Sequence, residues 1–295
     1  MSNPLPNTLV DNTIVQGDVR EVLRDLPFLG IDCVVTSPPY WNLRNYTDNA
    51  DQKEIGHEES VESYVDVLSD IFVKIAKHMR PTGSIWVNLG DNFVNGQPLL
   101  TPWQFLFAMK SKGFQVRNIV MWYKPDAMSE STMRRFSQKY EPFFWFTMSN
   151  DYYFDYDAST IPCKVSTVER LKHEFYANKG TAVSRMGGLL GDMSSKIDEY
   201  LAKGVNAGDT WLISTNKEKV EHIAPYPLEL AIRPVVATCP PNGLVFDPFM
   251  GSGTTALAVA EMGEGRRYFG TDINPKAVEE ANRRVAPEVA QGKLF

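Results

Sequence analysis

"GLVFDPFMGSGTTALAVAEMG" (243–263) carries three signals in a row. Gly243–Phe249 is a short apolar strand ending in Asp247-Pro248-Phe249, Gly251-Ser252-Gly253 turns the chain, and Thr254-Thr255-Ala256 opens an apolar helix. This order sets the N–H groups of a helix start over the end of a strand, where a negatively charged ligand group is favoured and where glycine lets the backbone approach closely. The next strand, "RRYFGTDI" (266–273), ends on Asp272, 19 positions after Gly253. A carboxylate there can accept hydrogen bonds from both hydroxyls of a ribose. The C-terminal stretch therefore reads as a nucleoside-binding βαβ half. No Gly-Lys-Ser/Thr follows the turn, so a P-loop is excluded. A nicotinamide dinucleotide site, and a turn that serves helix–strand packing alone, stay open on these residues.

Outward from this unit the chain alternates in the same rhythm. "NTIVQGD" (12–18), "DCVVTS" (32–37), "SIWVNLGD" (84–91), "VRNIVMWYK" (116–124) and "EPFFWFTMS" (141–149) read as strands. "VESYVDVLSDIFVKIAKHMR" (61–80) spaces Tyr64, Leu68, Ile71, Ile75 and Met79 by three and four, which predicts a helix stopped at Pro81-Thr82-Gly83. Residues 102–114, 225–241 and 274–285 read as further helices. Near-continuous apolar strands alternating with helices predict an α/β fold, a Rossmann-like, mostly parallel sheet covered on both faces. Residues 155–215 break the rhythm with polar composition, the turn cluster "MGGLLG" (186–191) and a helix expected at 165–176. Three segments follow: 1–154, an inserted module at 155–215, and 216–295. The polar loop 42–60 has the length and place of a lid.

"VVTSPPYW" (34–41) poses the chemical question. A buried strand runs into Ser37-Pro38-Pro39-Tyr40-Trp41, a rigid corner that neither continues a sheet nor starts a helix interior. Prolines carry no N–H, so the carbonyls beside them are acceptors held in fixed directions. Ser37 adds a hydroxyl and Tyr40 a flat face for a planar ring. Such a kit suits an exocyclic amine on an aromatic base: the acceptors hold the amine hydrogens and turn the nitrogen lone pair toward an electrophile. A simple loop bend with half-buried aromatics is the plainer reading of the same residues.

Together, "TSPPYW" and "DPFMGSGTT" resemble the amino-group DNA methyltransferases that use S-adenosyl-L-methionine. With the corner ahead of the glycine turn, the order resembles the β arrangement of that family, a circular permutation of the fold in which the 155–215 module recognises the target. The resemblance implies roles. Ser37, Pro38, Pro39 and Tyr40 hold the target amine and stack on its base. Asp247, Phe249, Gly251, Gly253 and Thr254 surround the methionine end of the cofactor. Asp272 takes the ribose, Ile273 packs on the adenine, Asp18 reaches the adenine amine, and Pro227 with Leu228 closes the methionine pocket. Serine at Ser37 favours cytosine N4 over adenine N6. The base must be extruded from double-stranded DNA to be reached. Trp41, Lys124, Arg134, Arg135, Lys139, Arg170, Lys172 and Arg185 are the candidate DNA contacts.

Bulk properties agree with an enzyme rather than a nucleic-acid coat. The chain has 295 residues, 43% of them hydrophobic, and a net charge of −6. Within it, 110–140 carries seven Lys and Arg against two acidic residues, a local basic strip. Three cysteines, Cys33, Cys163 and Cys239, are odd in number and widely spaced, which speaks against a disulfide framework or a structural zinc and for a reducing cytoplasm. No metal is expected. "MSNPLPNTLV" shows no secretory pattern, and no apolar run has the length of a membrane span. An oxidoreductase, a non-catalytic DNA-binding regulator, and methylation of RNA or a protein amide are the competing classes. A partner restriction endonuclease and a homodimer are open.

Overall fold

The computed structural model describes residues 11–42, 54–130, 134–162, 204–215 and 226–291. In chain order the strands are β1 (Thr13–Gln16), β2 (Ile31–Thr36), β3 (Met79–Asn88), β4 (Phe93–Val94), β5 (Gln97–Pro98), β6 (Gln115–Tyr123), β7 (Tyr140–Thr147), β8 (Thr160–Ile161), β9 (Val205–Asn206), β10 (Thr210–Leu212), β11 (Leu244–Asp247) and β12 (Arg267–Asp272). The helices are α1 (Val19–Val22), α2 (Val61–Ala76), α3 (Thr101–Ser111), α4 (Leu228–Thr238), α5 (Thr254–Met262) and α6 (Pro275–Gln291). Eight strands form one sheet in the order β1-β12-β11-β2-β3-β7-β6-β10. The pairings around β7 are antiparallel and the others parallel. This is the mostly parallel Rossmann-like sheet that the alternation implies.

The sheet is buried on both faces because its strands are apolar on both. Val34, Ile85, Val87, Phe144, Phe146 and Phe246 join one core with Tyr64, Leu68, Phe72 and Ile75 of α2 and Phe105 of α3. Their strand neighbours Cys33, Val35, Trp86, Trp145 and Val245 join the other with Leu230, Val235, Ala256, Val259 and Ala281 of α4, α5 and α6. This is the period-2 alternation of a two-sided strand. Ser60 caps α2 by accepting from the Ser63 N–H.

One expectation shifts. The helix expected over 61–80 ends earlier, at Ala76, and Met79 with Pro81-Thr82-Gly83 lies inside β3 rather than in the helix and its stop. The register between β2 and β3 slips between Ile31 and Cys33, and that irregularity accommodates the proline and glycine. Chain contacts separate two compact units, Met1–Phe154 with Asp209–Phe295, and Asp155–Gly208. In the first, β10 adds a parallel edge to β6, so the stretch 209–215 belongs with the sheet. In the second, β8 pairs with β9. The helix expected at 165–176 lies outside the described residues. Among the described residues, no helix is long and apolar enough to cross a membrane.

The second core centres on Trp86. Its ring stacks on Trp145 at 5.0 Å and on Trp211 at 6.0 Å, and its indole N–H donates to Thr238 Oγ1 at 3.1 Å. Trp86→Ala is expected to cost about 3–5 kcal/mol in urea unfolding, whereas Phe107→Ala on the exposed side of α3 stays within about 0.5 kcal/mol.

Candidate active site

The sheet order creates one crevice. From β11 the chain crosses through α5 to β12 on one side, and from β2 it crosses through α2 to β3 on the other. β11 and β2 are paired neighbours, so their carboxyl ends open at a topological switch point, where open α/β sheets bind ligands. The two motifs singled out in the sequence end on these two strands.

Asp247 ties them together. Its carboxylate is buried and accepts from Thr36, Phe249 and Thr255. Thr36 Oγ1 donates to Oδ1 at 2.6 Å, the Phe249 N–H to Oδ1 at 3.0 Å, and Thr255 Oγ1 to Oδ2 at 2.5 Å. Tyr226 bonds in turn to Thr255. Thr36 immediately precedes Ser37, so this carboxylate fixes the corner, the turn and the start of α5 against one another.

On the glycine side, Gly251 (φ 52°) and Gly253 (φ 85°) take left-handed backbone that other residues rarely adopt. A Cβ at Gly253 would lie 2.9 Å from Ala281 Cβ, so this glycine also lets α6 approach. The Gly251 N–H donates to Asp272 Oδ2 at 2.7 Å and the Asn274 N–H to Asp272 Oδ1 at 2.8 Å. Each Asp272 oxygen keeps acceptor capacity beyond these bonds, and burial raises its pKa. Thr254 Oγ1 is buried without a hydrogen-bond partner among the described residues. An orphaned hydroxyl at a helix start is what a bound polar ligand would satisfy. Phe249 and Ile273 flank this cradle half-buried, and buried Pro227 caps α4. Asp18 caps α1, accepting from the Arg20 N–H at 2.8 Å, and also pairs with the Arg20 guanidinium.

On the corner side, Pro38 is buried and the Pro39 carbonyl accepts from Tyr64 Oη of α2 at 2.7 Å, which anchors the bend. Ser37 Oγ lies 3.3 Å from Tyr40 Oη. Tyr40 Oη lies 3.0 Å from Glu141 Oε2 and 3.1 Å from Asn88 Oδ1. The ring passes so close to Gly90 that a Cβ there would meet Tyr40 Cε2 at 2.4 Å. Trp41 is half-buried, its indole N–H donating to Glu58 O at 3.0 Å, and the Asn42 N–H donates to Gly56 O at 2.7 Å, so the end of the 42–60 loop folds back on the corner. The stretch 43–53 lies outside the described residues.

The sequence reading missed Thr36, Asn88 and Glu141. The signal was a polar residue at the corner-side end of each of three apolar strands, β2, β3 and β7. Four basic residues of the 124–139 stretch fall into two kinds. Arg134 is exposed beside Phe136, which is 99% exposed. Lys124 pairs with Glu141 and lies 4.5 Å from the Trp122 ring centroid, Arg135 pairs with Glu130, and Lys139 bonds to Ala127 O. Arg170, Lys172 and Arg185 lie outside the described residues. Burial pushes the Cys33 thiol up to about 12 and raises the Cys239 thiol too, so neither is poised as a thiolate. Cys163 lies outside the described residues.

A DNA methylase family model matches residues 31–283, from β2 into α6. The chain belongs to this family of DNA methylases. Among relatives, the type II methyltransferase M.XycI of Xanthomonas campestris pv. cyanopsidis is 29% identical over 96% of the chain and 90% of that protein. M.Cfr9I of Citrobacter freundii is likewise 29% identical, over the same shares. Among solved structures, the PvuII DNA methyltransferase (cytosine-N4-specific) superposes with a TM-score of 0.67 at 20% identity, covering 94% of this chain and 86% of that one. A putative DNA modification methylase of Thermus thermophilus, complexed with S-adenosyl-L-methionine, gives a TM-score of 0.59 at 25% identity, covering 94% and 95%. The methyltransferase fold and DNA-methylating activity of the family therefore hold for this chain.

Burial raises the Asp247 carboxyl from its ordinary 3.8 to about 6, while its hydrogen bonds from Thr255, Thr36 and Phe249 oppose the shift. A carboxyl raised in the fold favours folding while protonated. That advantage is complete below about pH 4 and is lost as pH rises through 6, a change of about 3 kcal/mol. Asp247→Asn is expected to flatten the fall in urea-unfolding stability between pH 4 and 7 relative to the wild type.

Proposed function

We propose that the chain methylates the exocyclic N4 of cytosine in double-stranded DNA, with S-adenosyl-L-methionine as methyl donor. The observation that carries this reading is the Ser37-Pro38-Pro39-Tyr40 corner held beside the glycine cradle by one buried carboxylate. When bound, the cofactor supplies an electrophilic sulfonium methyl group. The chain's own residues do the rest by placement. Asp272 holds the ribose hydroxyls through its remaining acceptor sites, and Ile273 packs against the adenine. Thr254 at the helix start meets the carboxylate end, with Gly251 and Gly253 leaving room and Phe249 and Pro227 walling the aliphatic part. Asp247 acts by locking the cradle. Asp18 turns toward the adenine side with Arg20 as its neighbour.

Ser37 Oγ and the Pro38 carbonyl accept the amine hydrogens of an extruded base, and the Tyr40 ring lies against it. Serine rather than an acidic or amide side chain at position 37 supports cytosine, as does the cytosine-N4 specificity named for the PvuII enzyme. Adenine N6 is the alternative on the same scaffold. The sheet order, with β11 and β12 of the chain's end set between β1 and β2, supports the circularly permuted arrangement. Arg134, with Arg135 and Lys139 after release from their internal partners, offers phosphate contacts. Lys124 faces Glu141 instead. The 155–215 module is assigned to target recognition, with Arg170, Lys172 and Arg185 on it. The type II names of the relatives support a cognate restriction endonuclease as partner and a place in the cytoplasm with the DNA.

Methylation-aware sequencing of DNA from cells expressing the chain should reveal N4-methylcytosine at one fixed motif, abolished by Ser37→Ala. N6-methyladenine would reassign the base, and an unmodified genome would remove the reading. In calorimetry, Asp272→Ala should weaken S-adenosyl-L-methionine binding at least tenfold, about 1.4 kcal/mol, without lowering the unfolding midpoint by a comparable amount. Unchanged affinity would displace the ribose from this carboxylate.

A further inference from the structure

We infer that Glu141, acting through Tyr40, sets the direction of the Ser37 hydroxyl, so that lone pairs rather than a proton face the target amine. The inference rests on the methyltransferase reading above and adds to it a positioning residue outside both sequence motifs. A serine hydroxyl can donate or accept, and a donated proton pointed at an NH2 group would repel it. Three neighbours remove the choice. The Lys124 ammonium pairs with Glu141 Oε1, and the other oxygen, Oε2, accepts from Tyr40 Oη at 3.0 Å. Asn88 Nδ2 donates to Pro142 O at 3.3 Å, which turns Asn88 Oδ1, an acceptor only, toward Tyr40 Oη at 3.1 Å. The single Tyr40 proton is thus drawn to Glu141 or Asn88. Its oxygen is left to accept from Ser37 Oγ at 3.3 Å. The Ser37 proton points inward, and its lone pairs are left for the pocket. Chains of this kind strengthen each member by polarisation, so the charge on Glu141 makes Ser37 a better acceptor at two bonds' remove.

Two variants and their combination test this on a duplex carrying the motif mapped by sequencing, with 2-aminopurine beside the target base. Tyr40→Phe keeps the ring and removes the relay. Glu141→Gln introduces a donor at the end of the chain. Each is expected to slow single-turnover methyl transfer by about tenfold to a hundredfold. The double variant should be no slower than the slower single one, because both break one chain. The KM for DNA and the fluorescence rise of base extrusion should stay within about twofold of wild type. Wild-type rates in either single variant, multiplied losses in the double, or loss of the extrusion signal together with the rate would overturn the inference. A wild-type chain that transfers no methyl group to any DNA overturns the methyltransferase reading itself, and this inference with it.

Discussion

Everything in the crevice hangs on the burial of one carboxylate. Taking Asp247 out of water is costly, and the cost is offset in part by donors from three places in the chain: Thr36 at the end of β2, the Phe249 N–H in the turn and Thr255 in α5. Each donor is fixed because the acceptor cannot do without it. Two segments more than 200 residues apart in sequence are thereby held in one register at the switch point of the sheet. Pairing of β2 with β11 brings the strands together, but the carboxylate decides how the two turns beyond them face each other.

The fold was legible because it depends on period and punctuation. Apolar strands alternating with helices spaced by three and four required a sheet covered on both faces, and the two cores formed by alternate residues of β2, β3, β7 and β11 are that requirement met. The family was legible because two short motifs combine rigidity, flexibility and polarity in a way that packing alone does not require. The start of β3 was harder to place, since Pro81 and Gly83 punctuate a chain that nevertheless continues as strand across a slipped register.

Side-chain partnerships were the least legible part. Nothing local to Lys124 says that it faces Glu141, since the pairing depends on β6 and β7 lying antiparallel with Tyr123 opposite Tyr140. A basic strip counted along the sequence therefore overstates the charge offered to solvent: Lys124, Arg135 and Lys139 have internal partners, and Arg134 is exposed. Asn88 and Glu141 escaped notice for a related reason. Each is an unremarkable polar residue in its own strand, and only the sheet brings them to the same hydroxyl.

Gly90 gives the pocket a limit that its polar groups do not. The Tyr40 ring occupies the volume where a Cβ at position 90 would stand. On this side the ring edge lies against bare main chain, with the Glu141 carboxylate 3.2 Å from the same point. A methyl group added at Gly90 could be housed only by moving the Tyr40 ring, and with it the hydroxyl that faces Asn88 and Glu141.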